Sequence, residues 1–182
     1  MITLIKKSQI VLFLIGLAIS HVGSAQIGGW NPALQEDSEK AMIKMLEESP
    51  KLEKFVNEAY GYAVFPKITK AGLGVGGAAG NGIVYKEAKI VGSSKLKQAS
   101  FGLQAGGQQY SEVIFFENKE SFKKFTNGKL KLDAQASAVV ITKGASIDVA
   151  YQNGVAVFTF IKGGLMYEAS VGGQHFKFKS KE

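Results

Sequence analysis

Apolar positions change their period once along this chain, near residue 60. Asn31-Pro32 has the form of an N-cap followed by proline in the first turn, and Met42, Met45 and Leu46 recur behind it at helical spacing. The pattern predicts a helix over about 32–48. Ser49-Pro50 repeats the start signal, and Leu52, Phe55, Val56 and Ala59 recur at i, i+3, i+4 and i+7 before Gly61 closes the turn. A second helix is predicted over about 50–60.

From Tyr62 onward the texture is short β-prone runs punctuated by glycine: 62–66, 71–78, 82–86, 99–108 and 111–117. One helix interrupts them. Asn118 caps a segment in which Phe122 and Phe125 sit three apart, and Asn127-Gly128 ends it, which predicts a helix near 118–127. Strands are predicted to resume at about 134–142, 146–151, 155–161, 164–171 and 174–179. Gln152-Asn153-Gly154 contains the Asn-Gly pair of a tight hairpin, and Lys162-Gly163-Gly164 is a second turn candidate. A meander of antiparallel strands is the simplest topology.

Glycines recur inside these runs at Gly72, Gly74, Gly76 and Gly77, at Gly106 and Gly107, and at Gly172 and Gly173. The last two pairs share the pattern Gly-Gly-Gln-x-aromatic, ending at Tyr110 and Phe176, a weak internal repeat. Glycine inside a strand marks a bulge, sharp coiling or close backbone approach. The fold class expected is therefore α+β: a coiled antiparallel sheet or partly open barrel of about nine strands, with two N-terminal helices packed on it and one inserted helix. Closure of the barrel would remove exposed edges.

The first 25 residues read as a cleaved signal peptide: Lys6 and Lys7 form a basic n-region, Ile10 to Ile19 an apolar h-region, and Gly23-Ser24-Ala25 a small-residue cleavage site. The apolar run is about half of the roughly 20 residues needed to span a bilayer. With residues 1–25 set aside, 26–182 is expected to form a single domain, helical over about 31–60 and β over about 61–182, in a periplasmic or otherwise exported protein. There is no cysteine, so stability has to come from packing and backbone hydrogen bonds rather than disulfides.

Charge narrows the partners. The formal charge is +7, and every one of the 22 basic residues is lysine. Residues 36–59 hold seven acids and four lysines, whereas residues 60–182 hold sixteen lysines and eight acids, so the β part is the basic one. Without arginine the chain lacks the planar fork that reads guanine or phosphate bidentately, and no nucleic-acid partner is expected. A lysine-rich surface suits a diffuse anionic partner such as a membrane.

The catalytic inventory is thin. His175 is the sole histidine after residue 25, and it sits in an alternating strand on the same face as Lys177 and Lys179. Gly72-Leu73-Gly74-Val75-Gly76-Gly77 satisfies G-x-G-x-x-G, yet a turn and a strand follow it, not the helix whose N-terminus would hold a pyrophosphate. Glu36-Asp37-Ser38-Glu39 reads as a solvated, dipole-favoured first turn. No enzyme, no cofactor and no metal are expected. The remaining candidates for chemistry are scattered carboxylates such as Glu112 and Asp148.

The run Ala59-Tyr60-Gly61-Tyr62-Ala63-Val64-Phe65-Pro66-Lys67-Ile68, with Lys70 to Gly77 and Gly80-Asn81-Gly82, resembles the opening of the SYLF family. The similarity continues through Gly102 to Gln108, Val113 to Glu117, Phe122, Phe125, and Lys162 to Ala169, and so covers roughly residues 45–178. The resemblance implies a lipid-binding domain; eukaryotic members bind phosphoinositides and serve actin-linked endocytosis, and bacterial members are exported. It implies lipid binding here rather than actin binding. Ile141 to Ser146 replaces a glycine-proline turn typical of the family, and basic positions that other members fill with Arg can only be Lys in this chain, so headgroup selectivity is not carried over.

Lys177, Lys179 and Lys181 are expected on one face of the last strand, joined as lipid contacts by Lys67 and Lys70. Three lysines near an anionic membrane supply roughly 3 kcal/mol, short of the roughly 4 kcal/mol of a millimolar affinity. An apolar element is therefore required. Trp30, the sole tryptophan, is the membrane candidate, while Phe176 and Phe178 are expected in the core. The partner expected is a lipid or an anionic membrane surface, the alternative being a structural or adaptor role in which the sheet holds a protein partner of the envelope.

Overall fold

The computed structural model describes residues 31–133, 138–140 and 150–181. The expected leader, its cleavage site, Trp30, Asp148 and the Ile141–Ser146 segment lie outside them. Within them the order is α1 (Pro32–Glu48), α2 (Leu52–Glu58), β1 (Gly61–Lys86), β2 (Lys89–Phe116), α3 (Lys119–Thr126), β3 (Leu132–Asp133), β4 (Ala138–Val140) and β5 (Val155–Ser180).

The helices start where their caps predict. The Asn31 side chain accepts from the Leu34 amide at 2.7 Å with Pro32 in the first turn. Asn118 and Ser121 form a reciprocal capping box at the head of α3, and Gly128, at φ +67°, takes the left-handed position just past its end. The second helix is shorter than expected and has no side-chain cap.

The strands differ more. Among the described residues there are five, in the order β1-β2-β5-β3, with β4 pairing parallel to β5. Three of the five are very long, at 26, 28 and 26 residues. The glycine runs that resembled gaps between strands lie inside them, and Lys162-Gly163-Gly164 is continuous β5 rather than a turn. Among the described residues the sheet stays open, so the partly open alternative holds and full closure does not. Gln152-Asn153-Gly154 does form a tight turn, with φ of +51° and +79° at Asn153 and Gly154. The β1–β2 hairpin turns at Glu87-Ala88, both at positive φ, a two-residue turn whose sequence carries no glycine or asparagine to announce it.

The long strands fold over. A Cβ on Gly80 would lie 2.7 Å from Ile68 Cγ1 and 2.8 Å from the Lys67 carbonyl oxygen, and one on Gly82 would lie 2.5 Å from the Val64 oxygen. The first and last thirds of β1 therefore touch, and only glycine permits that approach. Bulges between Phe65 and Ile68 and between Leu73 and Val75 supply the bend. The crest of the fold-over lies between the two arms, where Leu73 pairs with Ala105 and Val75 with Phe101.

Two cores result. The concave side holds Ala63, Phe65, Ile68, Leu96, Ile114, Phe116 and Phe176, sealed by α3, whose Phe125 ring lies 4.8 Å from Phe116 and 5.2 Å from Phe176. The convex side near the strand ends is covered by α1 and α2: Met45, Leu52 and Phe55 bury against Val64, Ile83, Phe115 and Phe158, with Phe55 and Phe158 in edge contact at 4.9 Å. Each such side chain contributes about 1.5–3 kcal/mol on burial. The helices stop short of the crest, and that leaves its outer surface bare among the described residues.

Candidate functional site

On the convex face beyond the helices, β2 and β5 place one lysine directly opposite another and gather further basic residues around the pair. Lys95 pairs with Lys177, Lys97 with His175, and Ser93 with Lys179. Lys95, Lys97, His175, Lys177 and Lys179 wall a groove of about 440 Å³, with Phe176 and Phe178 also lining it. Phe176 is buried in the concave core and Phe178 is half-buried, as expected of the inner face of a strand. Like charges directly across an antiparallel ladder repel. An anion bound in the groove would relieve that repulsion.

A second basic groove, of about 300 Å³, lies on the other arm. Lys40 and Lys44 of α1 face Lys67 of β1 and Lys162 of β5 across it, beside Asp37 and Phe160. Burial holds the Lys162 ammonium below its usual range, and the charges on Lys44 and Lys67 lower it further, against an opposing effect of Asp37. Lys44 also sits over the Phe160 ring, 5.0 Å from its centre.

Of the residues expected to meet lipid, Lys67, Lys177 and Lys179 are exposed and line these grooves, while Lys181 is exposed just past β5 with its amide bonded to the Val91 carbonyl. Lys70 is different: it is only 5% exposed, on the strand face it shares with Ile68. Trp30 lies outside the described residues. Lys95 and Lys97 of the first groove and Lys162 of the second escaped the sequence reading. For Lys95 and Lys97 the signal was register, since residues 89–98 contain Gly92-Ser93-Ser94 and do not alternate as a half-buried strand should, while Lys162-Gly163-Gly164 read as a turn.

The other candidates resolve simply. The glycine-rich motif 72–77 lies wholly within β1, and another stretch of that strand follows it. Glu36 pairs with Lys40 at 2.6 Å, Gln35 with Glu39 at 2.8 Å, and Ser38 donates to the Leu34 carbonyl at 2.8 Å, so this turn satisfies its own groups. Among the described residues no three acidic or histidine side chains gather as metal ligands. No helix among them is long and apolar enough to cross a membrane. Glu112 is fully buried on the concave side.

A family model described as Las17-binding protein actin regulator (Ysc84) matches residues 97–182. Beta cell expansion factor A of Aeromonas veronii is 27% identical over 146 residues, which cover 79% of this chain and 55% of that protein. The chain thus spans about half the length of the curated relative it matches.

Proposed function

From the premise that this chain belongs to the Ysc84 (SYLF) family through its carboxy-terminal half, we propose that it is a non-enzymatic protein of the bacterial cell envelope that binds lipid or membrane surfaces. Family membership supports a lipid-binding or adaptor role at the coarse level. The observation that carries the lipid reading is the groove in which Lys95 and Lys177 stand opposite one another with Lys97, His175 and Lys179. No Asp or Glu occurs from Lys89 to Ser111 or from Ala169 to Lys181, so the repulsion is not offset along these strands. A diffuse negative surface answers such a band better than a shaped ligand does, because lysine is a strongly hydrated point charge on a flexible stem. Export through the expected leader would bring it to such surfaces.

Cosedimentation with vesicles at low salt tests this reading. Binding to phosphatidylglycerol-containing vesicles that weakens as salt rises supports it; absence of binding to anionic and zwitterionic vesicles alike ends it.

The family's name, a Las17-binding protein actin regulator, favours a second reading, an adaptor that holds a protein partner on the same sheet. Crosslinking in the envelope that returns one stoichiometric partner, independent of lipid, would select it.

A further inference from the structure

Three large apolar side chains stand exposed together at the crest of the folded sheet. Leu73 is 83% exposed, Val75 62% and Phe101 58%, and Val75 and Phe101 are direct partners in the ladder. The backbone around them is glycine-rich, with Gly74, Gly102 and Gly106 at positive φ, and a Cβ on Gly74 would meet nothing within 4 Å. Neither core cluster includes these three residues, and no described helix covers them.

The surroundings are ordered by distance from the crest. Away from Phe101 along β2, the outward positions are Ala99, then Lys97, then Lys95, with Gly173, His175 and Lys177 beside them on β5. At about 3.3 Å per residue, Lys97 stands about 13 Å from Phe101 and Lys95 about 20 Å. On the other arm, Leu73 is followed outward by Ala71, Thr69 and Lys67. An apolar tip is thus followed on both arms by a band of small residues and then by lysines. All charged residues of β1, and those of β2 up to Ser111, are lysines; Glu168 of β5, in register with Gln104, is the acid at this level.

We propose that this crest is the membrane-entering element: Leu73, Val75 and Phe101 insert among the acyl chains of an anionic bilayer while the lysines of the two flanking grooves hold its headgroups. The inference rests on the lipid reading above and adds the apolar component that lysines alone do not supply. The dimensions agree, because an interfacial element that sinks about 5–10 Å below the headgroup boundary leaves side chains about 13 Å higher at headgroup level. A second copy meeting crest to crest would bring its own lysine bands against these. The exposed apolar area, a few hundred Å², is also well below the roughly 800 Å² that each partner of a standard protein interface buries.

The absence of native cysteine makes the test direct. Single variants Leu73→Cys, Phe101→Cys and, far from the crest, Lys89→Cys carry an environment-sensitive nitrobenzoxadiazole label, and the exported protein is mixed with vesicles of phosphatidylcholine and phosphatidylglycerol. The labels at 73 and 101 are expected to shift to the blue, brighten, and be quenched by nitroxide placed on the acyl chains; the label at 89 stays aqueous. In parallel, Leu73→Ser with Phe101→Ser, at exposed positions, is expected to keep its circular dichroism spectrum and lose about tenfold or more in vesicle affinity. Vesicle-bound protein whose labels at 73 and 101 remain aqueous overturns the crest alone. Failure to bind vesicles at all overturns the lipid reading with it. Labels already shifted in buffer assign the crest to another segment of the chain or to a second copy, and also overturn the proposal.

Discussion

Gln174 of β5 donates a 3.0 Å hydrogen bond from Nε2 to Glu112 Oε2 across the concave interior of the folded sheet. Gln174 lies in the ladder beside Gln98, and Gln98 in turn accepts from the Tyr110 hydroxyl at 3.4 Å, so a polar cluster ties the two arms together. Glu112 is 1% exposed, and its other oxygen, Oε1, has no partner among the described residues. Burial pushes its pKa up from 4.5 to about 7, against a smaller lowering by the Gln174 hydrogen bond.

The sign of the pH dependence follows. Between about pH 4.5 and 7 the folded chain keeps the Glu112 proton and the unfolded chain releases it. Stability contributed by this site is therefore complete below about 4.5 and falls as pH rises through about 7. The loss is roughly 3 kcal/mol at most. Glu112→Gln, which keeps an acceptor for Gln174 and removes the charge, should flatten urea-unfolding stability over this window and exceed the parent at pH 8. A variant that shows the parent's slope would assign that slope to other groups.

The glycines of the long strands β1 and β5 should separate sharply under substitution. Gly82→Ala puts a methyl 2.5 Å from the Val64 oxygen and 2.7 Å from Phe65 Cδ1, and the two arms have to part to admit it. A cost of about 1–3 kcal/mol is expected, with a larger one for Val. Gly77→Ala, whose nearest contact is 3.4 Å, and Gly173→Ala, with nothing within 4 Å, should be near neutral. Thermal unfolding of the three variants measures this, and equal losses would refute the fold-over contact.

These glycines also show what the sequence made legible. Caps at Asn31 and Asn118 act within a few residues, so both helix starts could be read from the chain. Strand content was equally plain. Strand continuity was not, because a local pattern treats Gly72 to Gly77 as punctuation, while in the structure cross-strand pairing carries β1 straight through it. The Glu87-Ala88 turn went unseen for the converse reason, since the ladder imposes positive φ on residues that do not prefer it. On the candidate site, Lys177 and Lys179 followed from alternation, but Lys95, which faces Lys177, and Lys97, which faces His175, depend on register. Lys70 and Glu112 depend on which arm folds over them.

Asn118→Ala should loosen α3 from its N-terminus. The side chain accepts from the Ser121 amide at 3.0 Å while Ser121 Oγ lies within reach of the Asn118 amide. Loss of such a cap costs about 1 kcal/mol. Because α3 delivers Phe125 to the concave core, the loss should register in global unfolding rather than as local fraying alone. Hydrogen exchange confined to 119–122, with unchanged global stability, would show α3 to be uncoupled from the core.

The lysines of the groove between β2 and β5 make the sharpest prediction for binding. Each lysine close to an anionic bilayer is worth about 1 kcal/mol, so Lys97→Ala with Lys179→Ala should weaken vesicle affinity about thirtyfold at low salt. The same pair thins the positive charge around the opposed Lys95 and Lys177, so the folded chain should be as stable as the parent or slightly more so. Affinity and stability then move in opposite directions, which distinguishes a surface kept for binding from one kept for packing. Vesicle titration and urea unfolding on the same samples measure the two. A double variant that binds as tightly as the parent would remove this groove from the lipid contact and leave Lys67 and Lys162 of the other arm to supply it.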